Sequence, residues 1–317
     1  MSIKNITIPT SEHEFLKSTA AIFARHNGDD WRSTVKLAQS VSTMIQTFAP
    51  TLSAALRLSS ETINTSATII EGLPKIFNDQ QDNLHIAKKM ALATAFVVGE
   101  PFQYLQQNNG HLVADIKPNP SLRDTQSSGG AVEFGWHTDD AFFIPDVRTH
   151  WIMLWGYWNP GKTRTKLSPL NEIINRLPSA TIGVLLQKRF SIRIPVTIGG
   201  NDERWTKPIS ILRTNNHQEY EIAVPTFDVK PELENDDEAR NAIESLVDAA
   251  DSVQTQYSLE DGSLMIFDNN RCLHARDRIS SDRHIFRIYI RPDLEELKKQ
   301  VEGSEYVFDA ARLPCYA

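Results

Sequence analysis

DGSLMIFDNNRCLHARDRISSDRHIFRIYI, residues 261–290, is the stretch whose reading decides the fold. Asp261 and Gly262 signal a turn, and the apolar run behind them reads as a buried strand fed by that turn. Further on, basic and apolar residues alternate at period two. Arg283, Ile285 and Arg287 fall on one face of the strand, and Phe286, Ile288 and Ile290 on the other. An arginine pointing inward from such a strand requires an anion to pair with. Between the two strands stands His274, and its role depends on a second segment upstream.

That segment is GWHTDDAF, residues 135–142, in which His137 and Asp139 are separated by one residue. Side chains alternate along a strand, so the two point the same way while Thr138 points away. Alone, an H-x-D pair is as well explained by a surface pair or a satisfied core histidine. With His274 added, two imidazoles and one carboxylate can cap one face of a metal ion with positions left open, the ligand set of a non-haem Fe(II) that must also hold oxygen and a co-substrate. The inward arginine then has a natural partner. A five-carbon keto-diacid chelates such an iron through its keto and C1 carboxylate oxygens, and its far carboxylate takes a planar, bidentate partner, a geometry arginine has and lysine lacks.

GWHTDDAF, DGSLMIFDNNRCLHAR and DRHIFR together resemble the Fe(II)- and 2-oxoglutarate-dependent dioxygenases of the clavaminate synthase-like group, within the taurine dioxygenase-like superfamily. The resemblance covers roughly residues 127 to 292. It implies that His137, Asp139 and His274 ligate iron, that Arg283 binds the 2-oxoglutarate C5 carboxylate, and that Arg287 faces an acidic group of the substrate. It also implies a threonine beside the co-substrate, Thr165 in KTRTKLS, with Thr163 close enough to compete. The loop between His274 and Arg283 is shorter than in many relatives, so Arg287 stands as the alternative 2-oxoglutarate arginine. The implied chemistry consumes O2, converts 2-oxoglutarate to succinate and CO2, and hydroxylates an unactivated C–H bond. Related halogenases lack the carboxylate, so Asp139 argues for hydroxylation and leaves desaturation or ring formation open. The implied substrate is an amino acid or a derivative, with basic ones such as arginine or lysine among the candidates. For a zwitterion, Arg287 would take the α-carboxylate, and Glu133 or Asp268 an ammonium; equally, Asp268 could cap a turn and Glu133 be solvated.

The rest of the chain reads as an ordinary enzyme. Its 317 residues suit one domain: a helical N-terminal layer over 1–105, a core with inserted helices over 106–292, and a C-terminal helix and tail over 293–317. Helical spacing runs through 11–26, 33–58 and 80–98, with SEHEF and DQQDN as caps. From residue 111 the pattern changes to short runs, HLVADI, HWIMLWGYW, RFSIRIPVTI, ISILRT, YEIAVPTF, SLMIFD and FRIYIRP, with helices about 167–177 and 236–251 between them. The fold class is therefore mainly β with flanking helices. Periodicity does not choose among β-sandwiches; the double-stranded β-helix, or jelly roll, is what the resemblance implies. No run approaches a membrane span, and MSIKNITIPTSEHEF lacks the apolar core of a signal peptide, so a cytoplasmic location is expected. Cys272 and Cys315 give no disulfide framework. A net charge of −7 argues against broad nucleic-acid binding. The expected partner is a small molecule, and a homo-oligomer is left open. His217 and Glu219 form a rival H-x-E pair, but their surroundings in RTNNHQEYEIAV read as a hairpin tip. The glycine-rich QSSGG, 126–130, reads as either a lid or a linker.

Overall fold

The DNN turn carries the chain from one sheet to another: Leu264–Asp268 belongs to a large sheet and Cys272–Arg276 to a smaller one facing it. The turn ahead of them needs glycine, because Gly262 has φ +87°. The computed structural model describes residues 2–26, 30–61, 65–76, 83–199, 203–301 and 305–316. In chain order its strands begin with β1 (Ser2–Thr7), β2 (Thr65–Glu71), β3 (Glu100–Tyr104), β4 (Ala114–Ile116), β5 (Phe134–His137), β6 (Trp151–Trp158), β7 (Arg164–Pro169) and β8 (Phe190–Ile194). They continue with β9 (Arg204–Trp205), β10 (Leu212–Thr214), β11 (Tyr220–Ile222), β12 (Val229–Pro231), β13 (Thr255–Ser258), β14 (Leu264–Asp268), β15 (Cys272–Arg276), β16 (His284–Arg291) and β17 (Val307–Phe308). The first helices are α1 (Thr10–Arg25), α2 (Trp31–Phe48), α3 (Pro50–Glu61) and α4 (Leu84–Val98).

The large sheet runs β1-β2-β14-β6-β16-β3-β17, with β4 also on β16, and the small sheet runs β13-β7-β15-β5. Strand alternation divides the large sheet between two cores. Met153, Trp155, Leu264, Ile266, Phe286, Ile288 and Ile290 pack against the apolar stripes of α1 to α4, including Leu16, Val41, Ile45 and Met90. The opposite face, with Ile152, Leu154, Met265, Phe267, Ile285 and Tyr289, packs against Leu167 and Cys272 of the small sheet. Burying each large side chain contributes about 1.5–3 kcal/mol, so both faces are strongly specified. Because Arg283 and Arg287 share the Ile285 face, they lie in the space between the sheets.

Several elements differ from the sequence reading. The helix expected over 33–58 is two helices broken at Ala49, since Pro50 lacks an N–H and disfavours helical geometry in the residue before it. The first helix begins at Thr10 behind Pro9, with no side-chain cap from the SEHEF segment. The helix expected over 167–177 begins only at Leu170, because β7 extends through Pro169. HLVADI yields a strand only over Ala114–Ile116. The N-terminal layer also supplies β1, β2 and β3 to the large sheet. Of the DQQDN cap, all but Asn83 lies outside the described residues. The helix expected about 236–251 runs over Asp237–Ser252, and its N-cap Asp236 accepts from Ala239 N at 3.0 Å. Among the described residues, no helix is long and apolar enough to cross a membrane.

Candidate metal centre

β5 and β15 are antiparallel neighbours, and their register sets His137 opposite His274, with ring centroids 3.9 Å apart. Asp139 lies just beyond β5, so a turn, not strand alternation, aims its side chain. Its Oδ1 is 3.4 Å from His137 Nε2 and 3.6 Å from His274 Nε2. One ligand-capable atom from each of the three residues falls within 4.8 Å of the others.

Protonation favours coordination. His137 Nδ1 lies 2.8 Å from the Gly135 carbonyl, and an Nδ1–H donated there leaves the Nε2 lone pair facing the cluster. Burial, followed by the neighbouring His137, pushes the His274 pKa down to about 4, so that ring is neutral at neutral pH. Burial alone would raise the Asp139 carboxyl, but the Arg287 guanidinium, with His137 and His274, holds it well below the usual carboxylate range. The carboxylate is oriented at its other end, where Oδ2 accepts from Arg287 Nη1 at 2.9 Å and from the Tyr289 hydroxyl at 2.7 Å. Two imidazole nitrogens and one carboxylate oxygen thus converge, a donor set suited to a divalent transition metal.

The backbone of this ligand is also gripped. Asn269 Oδ1 accepts from Asp139 N at 2.9 Å, while its Nδ2 donates to the carbonyls of Asp139 at 3.0 Å and Thr149 at 3.1 Å. The next residue, Asp140, takes φ +62° and accepts from Tyr104 Oη at 2.8 Å and Thr149 Oγ1 at 2.5 Å.

Beside the cluster, Arg283 is buried and donates from Nη2 to Thr165 Oγ1 at 3.1 Å. Its Nε has no hydrogen-bond partner among the described residues. Burial and the nearby positive Arg276 push its pKa down to about 9. A buried guanidinium held by a hydroxyl, with no carboxylate against it among the described residues, is a fitting receptor for an organic anion. Thr163 precedes β7, and its backbone N–H donates to Asn159 Oδ1 at 3.0 Å. Arg287 differs from Arg283 in having an acid of its own, Asp139, and its Nη2 also donates to Gln107 Oε1 at 3.0 Å.

The two acids considered for an ammonium are engaged elsewhere. Glu133 is mostly exposed and accepts from Lys166 at 2.8 Å. Asp268 accepts from Arg271 Nε at 2.7 Å and from Asn270 N at 2.8 Å, the turn-capping arrangement. His217 sits on the β10–β11 connection, exposed, its N–H donating to Asn215 Oδ1 at 2.9 Å. Sequence reasoning missed Asn269, Tyr289, Arg276 and Gln107. Tyr289 and Arg276 are each two residues from a chosen residue on the same strand and were within reach of the period-two argument; Gln107 carried no local signal.

A family model described as taurine catabolism dioxygenase TauD, TfdA family, matches residues 192–289, which include His274, Arg283 and Arg287. Over that segment the chain is similar to this family. Among curated proteins, the chain is similar to an L-asparagine oxygenase of Streptomyces coelicolor, 24% identical over 250 residues, spanning 76% of this chain and 72% of the relative. Among solved structures, asparagine oxygenase in complex with Fe(II), 2S,3S-3-hydroxyasparagine and succinate superposes with a TM-score of 0.82 at 21% identity, covering 96% and 99% of the two chains. The non-heme iron oxygenase OrfP, in complex with Fe, succinate and (3R,4R)-dihydroxy-L-Arg, gives 0.80 at 19% identity, covering 96% and 99%. These likenesses establish the jelly-roll fold that the chain shares with those oxygenases, and the chemistry rests on the residues themselves.

Proposed function

We propose that this chain is an Fe(II)- and 2-oxoglutarate-dependent oxygenase that hydroxylates an unactivated C–H bond of an amino acid or amino-acid-derived small molecule, with succinate and CO2 as co-products. The observation that carries this reading is the convergence of His137 Nε2, His274 Nε2 and Asp139 Oδ1 beside the Arg283–Thr165 pair. A hydrolytic metal site gives no reason for a buried arginine without an acid.

In this reading His137, Asp139 and His274 hold the iron, and Arg283 with Thr165 anchors the distal carboxylate of 2-oxoglutarate. Bound iron and co-substrate supply the oxidising power, by coupling decarboxylation of the keto acid and O2 reduction to removal of hydrogen from the substrate. The chain contributes position. Tyr289 and Arg287 fix Asp139 through Oδ2, so Oδ1 keeps its direction. Phe134 stacks on His137 at 4.1 Å and Phe227 meets the same ring at 5.8 Å, which keeps water from one side of the centre. Each Nη of Arg287 carries a second hydrogen for a substrate α-carboxylate, and the adjoining Gln107 Oε1 accepts from the ammonium.

Relatives whose complexes contain hydroxyasparagine and dihydroxyarginine support a free amino acid as substrate, and basic side chains belong in the first screen. The test is succinate formation by purified protein with Fe(II), 2-oxoglutarate and each of the common amino acids and simple basic analogues. The expected product gains one oxygen atom. Loss of two hydrogens would instead mean desaturation or ring formation. Turnover indifferent to 2-oxoglutarate would favour a hydrolase, and wild-type protein that binds the amino acid but turns over nothing with Fe(II) and 2-oxoglutarate present would favour a non-catalytic binding module.

A further inference from the structure

Arg276 is buried, yet of its three guanidinium nitrogens only Nη2 has a partner, the Val132 carbonyl at 2.7 Å. Nε and Nη1 are shielded from solvent and bonded to nothing among the described residues. Its Cζ lies 5.7 Å from the Phe134 ring centroid, and Phe134 in turn stacks on His137. Among the described residues no carboxylate pairs with Arg276, which leaves a positive charge in the interior. Neutralising anions near a buried guanidinium are the rule, so an unmatched one demands explanation.

Its place in the sheet supplies the explanation. Arg276 follows His274 by two residues on β15, so both side chains project from the same face. Two strand residues span about 6.8 Å, comparable to the extended length of a five-carbon diacid. Across the sheet Arg276 is registered opposite Thr165 on β7, the residue whose hydroxyl holds Arg283. Arg283 feels the positive charge of Arg276 and, among the described residues, is likewise without a carboxylate. Two buried cations, one bonded to Thr165 and the other registered opposite it, one strand step from a candidate metal ligand, are placed to receive a single negative group.

We propose that Arg276 is a second binding residue for the distal carboxylate of the co-substrate, so that this carboxylate is held between the guanidinium groups of Arg276 and Arg283 with Thr165 beside them. This rests on the 2-oxoglutarate reading above and adds a residue to it. The pair selects for a terminal carboxylate, because two cations without an anion repel each other and a keto acid ending in a methyl group leaves both unmatched. It also makes anion binding at this end independent of the metal, since neither arginine needs iron to carry its charge.

The experiment is thermal unfolding and calorimetric titration of the full chain in excess chelator, with 2-oxoglutarate, glutarate and 2-oxobutyrate as probes, for the wild type, Arg276→Met and Arg276→Lys. Wild type is expected to bind and be stabilised by both diacids and not by 2-oxobutyrate. Arg276→Met should melt at or above the wild-type temperature without ligand, because an unmatched buried charge is gone, and should bind 2-oxoglutarate at least tenfold more weakly. Arg276→Lys keeps the charge but loses the planar donor set, and should fall between them; it carries the test should the methionine variant fail to fold. A purely structural arginine gives the opposite pattern, a lower melting temperature with diacid binding unchanged, and that result overturns the proposal. Wild type that binds neither diacid, with or without Fe(II), overturns the 2-oxoglutarate reading as well, whereas equal diacid binding by wild type and both variants removes Arg276 alone.

Discussion

Replacing Asn269 by alanine probes how firmly the turn carrying Asp139 is held. The wild-type carboxamide satisfies one N–H and two carbonyls, at 2.9, 3.0 and 3.1 Å, from a side chain that is 1% exposed. Alanine leaves all three groups in the interior without that partner. At roughly 1–3 kcal/mol for each buried group left unsatisfied, and with some relief from water entering the vacated space, the expected loss of folding stability is about 3–5 kcal/mol. The second effect is on the metal. Asp139 remains in the chain but its backbone anchor is gone, so metal affinity should fall by roughly 10- to 100-fold, the size of effect typical of groups that orient a ligand without touching the ion. Asn269→Asp is the sharper variant: it can still accept from Asp139 N–H but faces a carboxylate toward two carbonyls, and should be at least as damaging as alanine. Chemical denaturation and calorimetric Fe(II) titration under anaerobic conditions read both quantities. Alanine and aspartate variants with wild-type stability and wild-type metal affinity would refute the reasoning.

Other consequences follow from the same geometry. Tyr289→Phe removes one of the two donors to Asp139 Oδ2 and should weaken metal binding by less than tenfold while leaving diacid binding in chelator unchanged, as measured by the same titrations. Asp139→Gly should lose hydroxylation and retain 2-oxoglutarate binding, and a fully active glycine variant would remove Asp139 from the coordination sphere. His150 is half-buried, and desolvation, followed by the charges of Arg291 and Arg213, pushes its pKa down to about 4. A histidine whose folded pKa is depressed stabilises the fold above its unfolded pKa and loses that stability as pH falls, here from about 6.5 toward 4, with a slope of up to about 1.4 kcal/mol per pH unit. Melting curves of metal-free protein across that window should therefore fall with acid, and His150→Gln should make the fall shallower.

The parts of the fold legible in sequence were those with a strong period and a local turn. β14, β15 and β16 could be read because an Asp-Gly turn, a buried run and an alternating run follow one another without interruption. β1 and β2 escaped notice because they pair in parallel across an intervening stretch of three helices, so no turn or hairpin spacing marks them. The break before Pro50 was legible in principle, and the apolar spacing that continues on both sides masked it. In the site, spacing brought His137, Asp139 and His274 into view, as did the inward face of β16 for Arg283 and Arg287. Glu133 and Asp268 show the limit: an acid a few residues from a ligand is indistinguishable in sequence from one paired to Lys166 or Arg271. Gln107 reaches Arg287 from another part of the chain altogether, and no local pattern announces such a contact.

The central claim is that His137, Asp139 and His274 hold one metal to which 2-oxoglutarate adds. Anaerobic titration of Fe(II) and then 2-oxoglutarate, followed by the visible charge-transfer absorption that a keto acid chelated to Fe(II) produces, tests it directly. The account predicts that the band forms in the wild type, saturates at one iron per chain, and is lost in His137→Ala and His274→Ala, while the His217→Ala variant matches the wild type. A band that persists in either of the first two variants, or disappears with His217, would contradict it.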